Sequence, residues 1–93
     1  MDATTFINNI ITSKEPEWNK EILIYMFASV MEKKGLFKFQ YKIEKDGNNY
    51  YFYRELKTGK IYNIKKPNMS FEDEQRASNS IETILKNQRL SYE

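Results

Sequence analysis

The sequence predicts a single small α+β domain in the order α-α-β-β-β-α, a three-stranded antiparallel meander covered by helices. Three observations predict it. Phe37, Phe39, Tyr41 and Ile43 alternate with Lys38, Gln40, Lys42 and Glu44, the period of a strand. Two turn sequences, Asp46-Gly47-Asn48-Asn49 and Lys57-Thr58-Gly59-Lys60, divide the middle of the chain into three such segments. Apolar residues at helical spacing flank these segments on both sides. Over 93 residues, this amounts to one domain, 1–93, with no Pro/Gly/Ser-rich linker and no internal repeat.

Each element has a local reason. Phe6, Ile7, Ile10 and Ile11 share one face of a first helix, about 3–12, and Asp2 is its N-cap. Pro16 suits the first turn of a second helix, about 16–34, and Glu15 and Glu17 favour its positive end. Trp18, Ile22, Tyr25, Met26, Ser29 and Val30 form the expected inner side of that helix. Lys33 and Lys34 followed by Gly35 stop it. The strands are expected at about 36–45, 49–56 and 60–65, with Pro67 ending the third. Ser70 and Asp73 make a capping box for a last helix, about 70–87, with Phe71, Ala77, Ser78, Ile81, Ile84 and Leu85 inward. The end of the chain, 88–93, reads as a frayed tail.

The second helix is too apolar for its place. Ile22 to Ala28 is apolar on every side, whereas a helix of a two-layer domain keeps a polar outer stripe. Something must cover its far side, marked by Leu23, Phe27 and Met31. The first helix is the expected cover, and a homodimer or partner interface on this stripe is the alternative.

Composition excludes much chemistry. The chain has no Cys and no His, so disulfides, thiol redox, Cys/His zinc sites and Ser-His or Cys-His nucleophilic catalysis are all ruled out. Three glycines provide no phosphate-cradling loop. The acidic cluster Glu72-Asp73-Glu74 sits where a helix dipole favours carboxylates, which explains it without catalysis. No catalytic, cofactor-binding or metal-ligating residue is expected, and the chain is expected not to be an enzyme. The first residues, Met1 to Thr5, carry no basic-then-apolar leader, and no apolar run reaches the ~20 residues of a membrane span. A cytoplasmic protein without membrane contact is the expectation. Heavy use of Asn, Lys, Ile and Tyr, with 12 Lys to 3 Arg, points to AT-rich coding and thus to a low-GC bacterium, its phage or another mobile element.

Charge is distributed unevenly. Between residues 33 and 67, ten Lys/Arg stand against three Asp/Glu, a balance of +7 that leaves −5 for the rest of a +2 chain. Aromatic residues concentrate in the same stretch, with Tyr50, Phe52 and Arg54 on one face of the second strand and Tyr51, Tyr53 and Glu55 on the other. A basic, aromatic sheet suits an acidic partner surface or a nucleic acid. The candidate binding residues are Tyr51, Tyr53, Arg54, Lys57, Lys60, Tyr62 and Lys65. The acidic first turn of the last helix would repel a phosphate backbone. The reading drawn from these features is a small protein-binding module, such as a phage or mobile-element inhibitor, anti-defence or immunity protein. Its partner is a host or bacterial protein, among which nucleic-acid-handling enzymes are frequent targets. A nucleic-acid-binding domain and an oligomeric assembly subunit are the alternatives.

Overall fold

The computed structural model describes residues 2–87, so the tail expected at 88–93 lies outside the described residues. Six elements follow in the expected order: α1 (Ala3–Ile11), α2 (Glu17–Lys33), β1 (Phe37–Lys45), β2 (Asn48–Glu55), β3 (Ile61–Lys66) and α3 (Phe71–Asn87). Their bounds lie within a residue of those expected from sequence. The strands form one antiparallel sheet in the order β1-β2-β3.

The element ends are set by local chemistry. Asp2 caps α1 by accepting the Thr5 N–H at 2.8 Å. That bond holds the Asp2 carboxyl below its ordinary pKa. The end of α2 is a Schellman motif: Gly35 N–H donates to Glu32 O and Leu36 N–H to Met31 O, with Gly35 at φ +77°. The β1–β2 hairpin turns on Asp46 and Gly47, both at positive φ, the two-residue turn whose twist matches the strands. Ser70 and Asp73 form the reciprocal capping box of α3, with the Asp73 carboxyl lowered by its bond to the Ser70 N–H.

The core lies between the inner sheet face and α2 and α3, with α1 packed against α2 and tied to β3 through Thr4 and Tyr62. Phe27 is the pivot. Its ring stacks on Phe6 of α1 at 4.3 Å and meets the edge of Phe37 of β1 at 5.9 Å. Ile22, Met26, Ala28, Val30 and Met31 of α2 are buried around it, with Ala77 and Ile81 of α3 and Tyr53 and Ile64 of the sheet. This accounts for the over-apolar α2, which is packed on by α1 and α3 as well as by the sheet. Phe27 and Met31 are therefore core residues, fully enclosed by their own chain, and the alternative of an interface at these positions is corrected. Leu23 alone of that stripe stays partly exposed, in a depression between the helices lined by Phe6, Ile10 and Ile84.

Three helical residues expected inside stand outside. Ile11 is at the last turn of α1, Trp18 (57% exposed) and Phe71 (75% exposed) at the first turns of α2 and α3. Each lies at a helix end, beyond the reach of the layer below. Trp18 is instead covered on one side by the Arg76 guanidinium, 5.7 Å from its ring centre.

Candidate interaction surface

The inner and outer faces of the sheet are separated by an irregularity that the sequence pattern hides. Phe37 pairs with Glu55 and Phe39 with Tyr53, but the next pair is Tyr41 with Phe52, so Gln40 is an extra residue in β1. A one-residue insertion moves every later side chain to the opposite face. Phe37 and Phe39 belong to the inner face. Tyr41 and Ile43, expected beside them, belong to the outer one.

The outer face is a grid of three cross-strand rows. Lys38, Arg54 and Ile61 make the first, Tyr41, Phe52 and Asn63 the second, Ile43, Tyr50 and Lys65 the third. No helix covers it. Tyr41 is 51% exposed, Ile61 48% and Ile43 43%. Ile43, Tyr50, Phe52 and Asn63 also line a shallow depression of about 400 Å³, closed at one end by Lys45 and Asp46 of the hairpin.

At the centre of the grid the Tyr41 and Phe52 rings are 4.6 Å apart and 17° from parallel. Rings that close and that parallel overlap face to face, so they cannot lie side by side flat on the sheet. Each ring turns one face against the other. The surface is an aromatic ridge flanked by isoleucines, with the cations Lys38 and Arg54 at one end and Lys45 at the other.

The residues singled out from sequence divide between two faces. Tyr51, Tyr53 and Tyr62 are on the inner face and are packing residues. Tyr53 is buried, its hydroxyl pKa pushed up chiefly by that burial. Tyr51 meets the edge of Tyr25 at 5.6 Å, and Tyr62 stacks on Phe37 at 5.3 Å. Burial raises the hydroxyl pKa of Tyr25 and Tyr62 as well. As a binding set these three tyrosines are corrected: alternation put Tyr51 and Tyr53 on one face, Tyr62 pairs with Tyr53 on that same face, and that face is the covered one.

Cations of the set are engaged within the chain. Lys60 Nζ donates to Thr4 Oγ1 at 2.9 Å and lies 5.1 Å from the Tyr62 ring centre, while the Tyr62 and Thr4 hydroxyls are 2.8 Å apart. This cluster ties α1 to β3. Lys65 Nζ reaches Glu21 of α2 at 3.5 Å. Lys57 is exposed in the β2–β3 turn. Arg54 alone of the seven lies in the outer-face rows with its charge free of a carboxylate among the described residues. Sequence reasoning missed Lys38, Tyr41, Ile43, Phe52 and Ile61. The available signal was the aromatic character of β2 on both faces, which needs apolar neighbours on both.

Among the described residues no group of three or more acidic side chains is placed to hold a metal ion, and no helix is long and apolar enough to cross a membrane. Comparison with family models, with curated proteins and with solved structures finds no match to this chain.

Proposed function

We propose that this chain is a non-catalytic, cytoplasmic protein-binding module that docks a partner protein on the outer face of its sheet. The observation that carries the reading is the uncovered patch of Tyr41, Ile43, Phe52 and Ile61 beside Lys38 and Arg54. Contiguous exposed apolar surface with a charged border is the usual form of an interaction site. The small size and AT-rich residue usage support an inhibitor, anti-defence or immunity protein of a phage or mobile element, acting by direct contact.

The basic balance of the sheet region would equally attract a nucleic acid. Two features favour a protein. Base stacking uses aromatic faces presented to solvent, and the central rings here are turned against each other. The aliphatic Ile43 and Ile61 match apolar side chains better than sugar and phosphate.

Affinity capture from a nuclease-treated lysate of a low-GC bacterium tests the reading. The wild-type chain is expected to retain a protein saturably, and Tyr41→Ser/Phe52→Ser is expected to lose it while keeping its far-UV circular dichroism. Retention of the same protein by that variant would overturn the proposal. So would binding confined to labelled oligonucleotides, falling steeply as salt rises.

A further inference from the structure

The outer face holds three cations with no carboxylate partner among the described residues, Lys38 and Arg54 at one end and Lys45 at the hairpin end. Lys38 and Arg54 stand directly opposite each other on β1 and β2. Like charges in that relation work against the sheet. No carboxylate among the described residues pairs with either. Lys14, Lys33, Lys42, Lys45 and Lys86 also lack a salt bridge among the described residues, but Lys38 and Arg54 are distinguished by standing opposite one another, and further basic residues are engaged within the chain. Lys65 has Glu21, Lys34 has Glu82, Arg76 has Asp73, and Lys60 has the Thr4 hydroxyl and the Tyr62 ring. The unneutralised pair adjoins the apolar ridge: Ile61 is the other cross-strand neighbour of Arg54, and the Tyr41–Phe52 stack is the next row.

We propose that Lys38 and Arg54 form a clamp for carboxylates of an acidic, apolar polypeptide surface, whose apolar side chains then settle on Tyr41, Phe52 and Ile61. This rests on the protein-binding reading above and names the chemistry of the partner. An aspartate or glutamate entering between the two cations removes their mutual repulsion and accepts hydrogen bonds from both. The planar fork of Arg54 offers a carboxylate two parallel N–H donors. The clamp sets which partner approaches and in what orientation, and the apolar ridge supplies the buried area.

The clamp predicts a trade of stability against binding. Lys38→Glu turns the like-charge pair into an opposite-charge pair with Arg54. The variant is expected to melt higher than wild type and to bind acidic partners less well. The probes are a synthetic amphipathic helical peptide of Leu and Glu, its Leu/Lys counterpart and a ten-nucleotide deoxythymidine strand. Each is titrated into the ¹⁵N-labelled full chain to about 1 mM, the weak limit of specific recognition. The Leu/Glu peptide is expected to shift the amides of Lys38, Tyr41, Phe52, Arg54 and Ile61, and the Leu/Lys peptide to leave them in place. Lys38→Glu should weaken the Leu/Glu peptide by about tenfold or more, the scale of losing a close charge contact. Lys38→Glu/Arg54→Glu should reverse the preference between the two peptides.

Failure of the Leu/Glu peptide to move these amides would overturn the proposal. So would indifference of the preference to charge reversal, shifts confined to the helical side, or stronger binding of the oligonucleotide than of the peptide. If a captured protein still depends on Tyr41 and Phe52 while charge reversal changes nothing, the clamp fails and the protein-binding reading stands.

Discussion

Phe27→Ala separates a core pivot from a surface anchor. A residue on an exposed interface stripe changes stability by no more than about 0.5 kcal/mol when truncated. Phe27 is instead fully enclosed, stacked on Phe6 and edge-on to Phe37. Loss of a buried Phe side chain costs about 3–5 kcal/mol, and the upper half applies here because two aromatic partners lose their contacts together. A domain of this size is stable by only about 5–14 kcal/mol, so more than a quarter of the total goes. Urea unfolding followed by far-UV circular dichroism at two protein concentrations measures it. The expected result is a large fall in midpoint, independent of protein concentration and with an unchanged slope. The melting temperature should fall by roughly 12 °C or more. A loss under about 1 kcal/mol would refute the packing of α1 against α2 described above, since only an uncovered Phe27 could be cut back so cheaply. A Phe6/Phe27 double-mutant cycle should return a coupling of about 0.5–1.5 kcal/mol from the stack itself.

Other outcomes follow from single features. Tyr53 has a folded pKa above its unfolded value of about 10, so its stabilising contribution is complete below that pH and is lost as the pH rises through the folded value; Tyr53→Phe should move the onset of alkaline unfolding upward, and an unmoved onset would contradict the burial of the hydroxyl. Gly35 closes the Schellman motif at φ +77°, so Gly35→Ala should destabilise by about 1 kcal/mol or more, although no atom lies within 4 Å of the added methyl; thermal melts check this. The free edge of β1 carries Lys38, Lys42 and Lys45 and the Gln40 bulge, all of which oppose pairing with a second strand; Lys42→Val should give a concentration-dependent mass by light scattering, and a constant mass would show that the lysine does not guard the edge.

Much of the fold was legible because local signals agree with one another. The alternation of β1, the turn glycines at 47 and 59, the Ser70–Asp73 capping box and the stop at Gly35 each have a backbone cause. The excess of apolar residues in α2 pointed to a second cover, and α1 packs on it beside α3 and the sheet. The candidate surface was harder to read because its assignment depends on one extra residue. Phe37, Phe39, Tyr41 and Ile43 alternate without a break in sequence. A bulge at Gln40 reverses the second half in space, and nothing in the composition at that point, neither Gly nor Pro, announces it. The consequence reaches β2, where Tyr51 and Tyr53 become core and Phe52 and Arg54 become surface. Charge counts placed Lys60 and Lys65 on a binding face, but their long side chains turn aside to Thr4 and Glu21. Trp18 and Phe71 fit the inner helical period, yet they sit at first turns where no partner layer extends.

The most direct test of the binding account is site-specific photo-crosslinking in the bacterial cytoplasm. A photoreactive benzoylphenylalanine replaces Phe52 on the outer sheet face or, in separate variants, Trp18 and Phe71 at the exposed helix ends. The account predicts a discrete protein adduct from position 52, suppressed by Lys38→Glu, and none of that mass from positions 18 and 71. An adduct formed only at the helix ends, or only with nucleic acid, would contradict it.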